Sequence, residues 1–195
     1  MNTPPPDPLR VVDAVVIGAS AGGVEALLRL LGALPANFRP AVLVVIHLPP
    51  DVPSGLAALV SQRCALPVSE ALDKQPVLPG TVVFAPPNYH LLVEPGLTLA
   101  LSVDDPVRFS RPAIDPLFES ASAAYGSRLL ALLLTGGSDD GSEGLAQVRR
   151  RGGCAWIQDP ASAVASTMPA AGLALAGADA VLTLEDMARA LAAVR

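Results

Sequence analysis

Residues 11–34 read VVDAVVIGASAGGVEALLRLLGAL and join a strand pattern to a helix pattern through a glycine-rich turn. Residues 11–17 are mostly apolar, as in a buried strand, and Gly18 interrupts the run. Residues 21–34 follow, with Val24, Leu27, Leu28 and Leu31 recurring at helical spacing. A strand that leads through a short turn into a helix is the first half of a βαβ unit, so this stretch predicts an α/β fold.

The same alternation continues to the C-terminus. Further strands are predicted at residues 41–46, 81–85, 128–134, 155–158 and 180–182, and further helices at residues 52–64, 115–125, 142–151 and 185–194. Asp115 followed by Pro116 is typical of a helix start, with Asp115 as the N-cap. Residues 90–94 and 97–101 flank Pro95-Gly96 and predict a β-hairpin. The pattern favours a doubly wound, mostly parallel sheet with helices on both faces and an antiparallel hairpin near one edge.

The domain organisation follows from length and local composition. The length of 195 residues suits one domain. Residues 1–10, MNTPPPDPLR, are proline-rich and are predicted to be a flexible N-terminal lead. Because the sequence shows neither a repeat of fixed period nor a linker, residues 11–195 are predicted to form a single domain.

Composition narrows the class of function. The net charge of −5 disfavours nucleic acid as a partner, because a protein that binds the phosphate backbone needs a basic face. The longest apolar runs fall far short of the ~20 residues that span a bilayer, so we expect no membrane insertion. Cys64 and Cys154 provide neither a disulfide framework nor metal-ligand spacing. These features predict a cytoplasmic protein without a metal site.

Ser20 is a candidate nucleophile. In open α/β sheets, sites form at the carboxyl ends of the strands, and residues 18–23 follow the first predicted strand. The pentapeptide GASAG at residues 18–22 fits G-x-S-x-G, in which a strand-to-helix turn exposes the serine hydroxyl. The N–H groups at the start of the helix could stabilise an oxyanion. Small-residue turns of this kind also bind phosphates, so a nucleotide- or phosphate-binding module remains open.

A general base and an acid are available at two other predicted strand ends. His47 follows the second strand, which in a parallel sheet commonly lies beside the first. His90, the second histidine, opens the hairpin and could line the site. Asp139 and Asp140 follow a further strand, and either could orient the imidazole. No histidine follows these acids in the chain, which excludes the usual α/β-hydrolase order of serine, acid and histidine.

Five motifs resemble the catalytic domain of the chemotaxis protein-glutamate methylesterases of the CheB type. They are VVIGASAGGVEAL with Ser20, VVIHLPP with His47, LLTGGSDDGSEGL with Asp140, FAPPNYHLLVE at residues 84–94 and RPAIDPLFESA at residues 111–121. The resemblance covers nearly the whole chain.

The resemblance assigns roles to individual residues. It implies that Ser20 is the nucleophile, His47 the general base and Asp140 the acid that orients the base. The candidates for oxyanion and substrate binding are Ala21, Gly137 and Arg111. Two positions depart from the family pattern, because a hydroxylic residue often stands at position 21 and a methionine at position 137.

The same resemblance implies an activity. Members hydrolyse glutamyl methyl esters on the cytoplasmic helices of chemoreceptors through an acyl-enzyme, and some deamidate glutamine through the same tetrahedral intermediate. No metal or organic cofactor is implied. Many members carry an N-terminal receiver domain, so we expect either a stand-alone form or an excised domain, without phosphorylation control in cis. Alternatives are a non-catalytic signalling domain of the same fold and an esterase for small esters.

Overall fold

The computed structural model describes residues 11–47 and 54–194, and its centre is a parallel sheet. The strands of the described residues are β1 Ala14–Ala19, β2 Ala41–Ile46, β3 Val68–Glu70, β4 Val82–Phe84, β5 His90–Val93, β6 Leu99–Ser102, β7 Leu129–Leu133, β8 Cys154–Gln158 and β9 Ala180–Leu182. Seven of them form one sheet in the order β3-β4-β2-β1-β7-β8-β9, and each neighbouring pair is parallel. The predicted doubly wound sheet is confirmed.

Helices cover both faces of this sheet. They are α1 Gly23–Gly32, α2 Leu56–Ser61, α3 Ile114–Tyr125, α4 Ser142–Arg150, α5 Thr167–Leu175 and α6 Leu184–Ala192. Val15 and Ile17 of β1 share a core with residues of α1, α2 and α6, whereas Ala14 and Val16 share a second core with residues of α3, α4 and α5. This is the alternation that a strand buried on both faces requires.

The order of the strands defines where a site can form. From the central strand β1 the chain moves to β2 on one side, and it later returns to β7 on the other side. The loops after β1 and β7 therefore diverge at the carboxyl ends of two adjacent strands. This is the topological switch point, where open α/β sheets bind ligands.

The predicted hairpin is present, with His90 paired to Ser102 and Val93 paired to Leu99 in an antiparallel ladder. It forms a two-stranded sheet of its own and does not extend the main sheet. Its residues Leu91, Val93 and Leu99 lie in the same core as α3, and the N–H of Val93 donates to Ser120 Oγ of α3 at 3.1 Å. The hairpin thus covers α3 from outside.

Some local features differ from the sequence predictions. The short edge strand β3 and helix α5 were not predicted, because two of the three residues of β3 are polar and the small apolar residues of α5 form no stripe. Val24 is exposed, and the buried face of α1 consists of Gly23, Ala26, Leu27, Leu30 and Leu31. Asp115 is not the N-cap of α3; Ala113 is, without a side-chain cap.

Some predictions fall on residues outside the described ranges. These are the N-terminal lead at residues 1–10 and the start of the second predicted helix at residues 52–53. Within the described ranges that helix is Leu56–Ser61, shorter than predicted. No helix of the described residues is long and apolar enough to cross a membrane.

Candidate active site

Ser20 begins a tight turn between β1 and α1. Its carbonyl oxygen accepts a hydrogen bond from the N–H of Gly23 at 2.8 Å, and Gly22 has φ 78° and ψ −1°. These angles at the third residue define a type II turn, a conformation that favours glycine there. A Cβ at Gly22 would also lie 2.7 Å from the Cβ of Val164. The turn therefore needs glycine at position 22, and it places Ser20 at the carboxyl end of the central strand.

Gly18, the first glycine of the GASAG motif, is required for a steric reason. A Cβ at Gly18 would overlap Cγ2 of Ile114, the first residue of α3. Glycine in β1 thus allows the start of α3 to approach the strand that carries Ser20.

His47 follows β2 as Ser20 follows β1. The two strands pair in parallel register from Ala14 with Ala41 to Ala19 with Ile46, and the N–H of His47 donates to the Ala19 carbonyl at 3.1 Å. Ser20 and His47 are therefore the next residues on adjacent strands, which in a sheet lie ~4.8 Å apart. Register alone brings the candidate nucleophile and base to one edge of the sheet.

Asp140 meets His47 across 93 residues of sequence. Nε2 of His47 lies 2.7 Å from Oδ2 of Asp140, and the two side chains are 12% and 0% exposed. A carboxylate only accepts, so Nε2 carries the proton in this bond. The lone pair of a neutral imidazole then lies on Nδ1, which is the nitrogen available to accept a proton from a nucleophile.

Asp140 also receives the first N–H groups of α3. Oδ2 accepts from the N–H of Ile114 at 2.6 Å, and Oδ1 accepts from the N–H of Asp115 at 3.0 Å. Burial opposes ionisation of Asp140, but hydrogen bonds from His47, Ile114 and Asp115 outweigh it and lower the pKa of Asp140 below its ordinary value. The acid is thus held ionised and oriented without contact with water.

Asp115 makes the reciprocal contact. Its Oδ1 accepts from the N–H of Gly144 in the first turn of α4 at 2.7 Å, and the residue is 6% exposed. Asp140, which precedes α4, thus binds the start of α3, and Asp115 of α3 binds the start of α4. Burial raises the pKa of Asp115 to about 7, with a further contribution from the nearby negative charge of Asp140. Sequence reasoning missed this role, since it assigned Asp115 to the cap of its own helix.

Thr135 and Gln158 support the turn that carries Ser20, and neither was selected from the sequence. The Thr135 hydroxyl donates to the Ala21 carbonyl at 2.8 Å and accepts from the N–H of Ala165 at 2.9 Å. The Thr135 carbonyl accepts from the N–H of Ser20, and its N–H donates to Gln158 Oε1, both at 2.9 Å. A threonine at a strand end is too common in sequences to signal this role.

The predicted oxyanion donors, Ala21 and Gly137, differ from neighbouring residues in the hydrogen bonding of their backbone N–H groups. The N–H of Gly136 donates to the Ala165 carbonyl at 3.0 Å. Among the described residues, the N–H groups of Ala21 and Gly137 donate to no other backbone carbonyl. Both residues are exposed, and Ala21 lies just before the N-terminus of α1. This hydrogen bonding is compatible with the predicted role of both residues as oxyanion donors.

The structure places Arg111 and His90 in supporting positions. Nη1 of Arg111 donates to the carbonyls of Val103 and Asp104 at 2.8 and 3.1 Å. His90 is 2% exposed, and its Nδ1 accepts from the N–H of Ala113 at 3.2 Å. Its Nε2 then carries the proton and donates to the Asp105 carbonyl at 3.1 Å. With both nitrogens engaged, His90 cannot serve as the base.

Asp139 points away from this buried corner. Its Oδ1 lies 3.3 Å from Nε of Arg108, and the two side chains are about half exposed. Arg108 and Phe109 have φ of 50° and 63° and occupy the centre of a tight turn closed between Val107 and Ser110. Asp139 thus belongs to the rim of the site.

A cavity of about 1080 Å³ lies at the other end of the sheet. It is lined by residues that precede β1, by the start of β2 and by the end of α6. None of Ser20, His47 and Asp140 contributes to it.

Comparisons with known proteins agree with this geometry. The profile of a family described as CheB methylesterase matches residues 15–191. A Leptospira interrogans protein with the provisional name protein-glutamate methylesterase/protein-glutamine glutaminase is 39% identical over 176 residues, which cover 90% of this chain and 91% of the relative. The crystal structure of the Thermotoga maritima CheB methylesterase catalytic domain superimposes with a TM-score of 0.89, at 33% identity, over 93% of this chain and 97% of that domain.

Longer relatives also match. A protein-glutamate methylesterase/protein-glutamine glutaminase of Rhodospirillum rubrum is 39% identical over 183 residues, which cover 92% of this chain and 50% of the relative. The chain thus spans about half the length of this relative.

Proposed function

The chain belongs to the CheB methylesterase family, and from that premise we propose that it is a protein-glutamate methylesterase whose catalytic groups are Ser20, His47 and Asp140. One observation carries the assignment of residues. Nε2 of His47 lies 2.7 Å from the fully buried Asp140, and the parallel register of β1 and β2 puts His47 beside Ser20. These are the relations that a serine nucleophile, its base and an orienting acid require.

The first half of the reaction forms an acyl-enzyme. Ser20 Oγ attacks the carbonyl carbon of the glutamyl methyl ester while its proton passes to Nδ1 of His47. Asp140 stabilises the imidazolium that results, because its charge is held by three donors and is not shared with water. The tetrahedral intermediate then expels methoxide, which takes the proton from Nδ1 and leaves as methanol.

The second half hydrolyses the acyl-enzyme. His47 accepts a proton from a water molecule that attacks the acyl carbon, and the proton returns to Ser20 as the ester bond breaks. The product is a glutamate side chain. A glutamine side chain would follow the same path and release ammonia, which accounts for glutaminase activity at one site.

The N–H groups of Ala21 and Gly137 are the proposed oxyanion donors. Both belong to loops at the switch point between β1 and β7, and Ala21 also benefits from the positive end of the α1 dipole. A backbone donor needs no particular side chain, so alanine at position 21 and glycine at position 137 are compatible with this role.

The proposed substrate is a methylated glutamate on a cytoplasmic helix of a chemoreceptor, and the proposed location is the cytoplasm. Membership of the CheB family supports both.

A nucleotide- or phosphate-binding module has less support. Such a module would leave the pair of His47 and the buried Asp140 without a role.

The test is methanol release from a methylated chemoreceptor cytoplasmic fragment. Ser20→Ala should lower the rate by roughly 10⁴–10⁶-fold, because the nucleophile of a triad acts as a unit with its base. Ser69→Ala is the matched control, since Ser69 is an exposed serine on the edge strand β3. Equal release by wild type and Ser20→Ala would refute the assigned nucleophile. No release by folded wild type would refute the proposed substrate.

A further inference from the structure

Asp115 is a buried carboxyl group that the mechanism above does not use. It lies in the first turn of α3, and its own backbone N–H donates to Oδ1 of Asp140 at 3.0 Å. Its side chain accepts from the N–H of Gly144 at 2.7 Å. Asp115 therefore contacts the proposed triad acid through its backbone and the first turn of α4 through its carboxyl group.

The hydrogen bonds of Asp140 leave room for one more donor. Among the described residues, Oδ2 already accepts from His47 and Ile114, whereas Oδ1 accepts from the N–H of Asp115 alone. A carboxylate oxygen has two lone pairs, so Oδ1 can accept a second hydrogen bond. Asp115 can supply it only as a neutral carboxyl group, because a carboxylate has no proton to donate.

The charges around Asp115 favour that neutral form. The carboxylates of Asp140 and of Glu119, one helical turn further along α3, both oppose a further negative charge. The group that faces Asp115 from α4 is the N–H of Gly144, which partly offsets them. Together with burial, these contacts raise the pKa of Asp115 to about 7, against an ordinary value of 3.8.

We propose that Asp115 is a positioning residue for the triad acid: its neutral carboxyl group donates to Asp140 while accepting from Gly144, and its ionisation releases Asp140 and stops hydrolysis. This inference rests on the proposed function, because it concerns the rate at which the same site works. It makes Asp115 a proton-dependent link between the start of α4 and the pair of His47 and Asp140.

Asp115→Asn tests the proposal because asparagine copies the neutral carboxyl group. Its amide nitrogen can donate to Asp140 and its oxygen can accept from Gly144, but it does not titrate. The kcat of wild type and variant on a small activated ester is measured from pH 5.5 to pH 8.5. If only the neutral form of Asp115 is active, the ratio of variant to wild type rises from about 1 at pH 6 to about tenfold at pH 8, as one titrating group requires.

Two further variants separate positioning from general destabilisation. Asp115→Ala loses both hydrogen bonds and should lower kcat by about 10–100-fold at every pH, with little change in KM, because support of a catalytic group is lost while the binding surface is kept. Glu185→Gln is the matched control, since it removes an exposed carboxylate from α6, which packs on the opposite face of the sheet from α3. It should leave the pH profile of the wild type in place.

A ratio that does not change with pH would overturn the proposal, as would Asp115→Asn losing as much activity as Asp115→Ala. Thermal unfolding supplies a readout that does not need turnover. With a raised pKa in the folded state, the wild type should lose stability relative to Asp115→Asn as the pH rises from about 4 to about 7. If the stability of the two proteins depended equally on pH, Asp115 would not titrate as the proposal requires. If hydrolysis by the wild type did not depend on Ser20, the proposed function alone would be refuted.

Discussion

Asp139 and Asp140 are adjacent in sequence and identical in chemistry, yet they belong to two different regions of the molecule. Asp140 lies in a buried corner with Asp115 and the first turns of α3 and α4, and its side chain is 0% exposed. Asp139 lies on the exposed rim, where its side chain is 53% exposed and pairs with Arg108. The sequence places both residues in one loop, and the structure separates them.

The contrast shows how location determines what a carboxylate can do. In the corner, three donors converge on Asp140 in a medium that screens charge poorly, so each hydrogen bond shifts the balance between its charged and neutral forms. On the rim, water screens the pair of Asp139 and Arg108, and such surface pairs contribute about 0–1 kcal/mol to stability. The buried charge of Asp140 can orient a base, whereas the exposed charge of Asp139 can at most attract or repel a charged group that approaches the site.

Asp140→Asn should give the largest effect in this comparison. Asparagine presents an amide donor where His47, Ile114 and Asp115 all offer donors, so the imidazole loses its orientation and its charge partner. We expect methanol release to fall by about 10³–10⁴-fold, as for removal of a triad acid in other serine hydrolases. Asp139→Asn is the matched control and should change the rate by less than about twofold. A larger loss from Asp139→Asn would reverse the two assignments.

Thr135→Val should give an intermediate effect on stability. The variant keeps the shape of the side chain but removes the hydroxyl that bonds Ala21 and Ala165. Leaving buried partners unsatisfied should lower the free energy of unfolding by about 1–3 kcal/mol, measured by denaturant titration. Thr135→Ser, which retains the hydroxyl, should lose less. A Thr135→Val variant as stable as wild type would show that the hydroxyl bonds do not stabilise the turn.

Acid unfolding should distinguish the two aspartates without any assay of activity. The pKa of Asp140 is lowered in the folded state, so its ionisation adds stability above the ordinary value of 3.8, and that stability is lost as the pH falls further. Wild type should therefore lose more stability than Asp140→Asn on acidification below about pH 4. Asp139→Asn removes a solvated surface pair and should change the free energy of unfolding by less than about 1 kcal/mol. A curve for Asp140→Asn that coincides with wild type would contradict the hydrogen-bonded carboxylate.

Arg108→Gln should give the smallest effect. It removes the charge partner of Asp139 and keeps most of the side-chain length. Stability should change by less than about 0.5 kcal/mol, because both groups are well solvated, and hydrolysis of a small ester should be unaffected. Thermal unfolding and ester kinetics measure these outcomes. A slower reaction on the small ester would mean that the rim contributes to the chemistry.

Much of this architecture could be predicted from the sequence. The apolar runs that became β1 and β2, and the turns that follow them, predicted a doubly wound sheet with Ser20 and His47 at strand ends. Local patterning suffices there because both strands are buried on both faces and the turn demands glycine at position 22. Weak local patterns explain the misses, namely the three-residue β3 and the small apolar residues of α5.

The sequence by itself determined the order of elements, the motifs and therefore the family, because hydrophobic periodicity and turn chemistry are local properties. Residue-level reasoning left Asp139 and Asp140 both open, and only the resemblance preferred Asp140. The tertiary structure decided which of them meets His47, that Asp115 binds α4 and not its own helix, and that Arg111 bonds to nearby carbonyls. These outcomes depend on contacts between residues far apart in the chain, such as the 93 positions that separate His47 from Asp140, and no local pattern encodes such contacts.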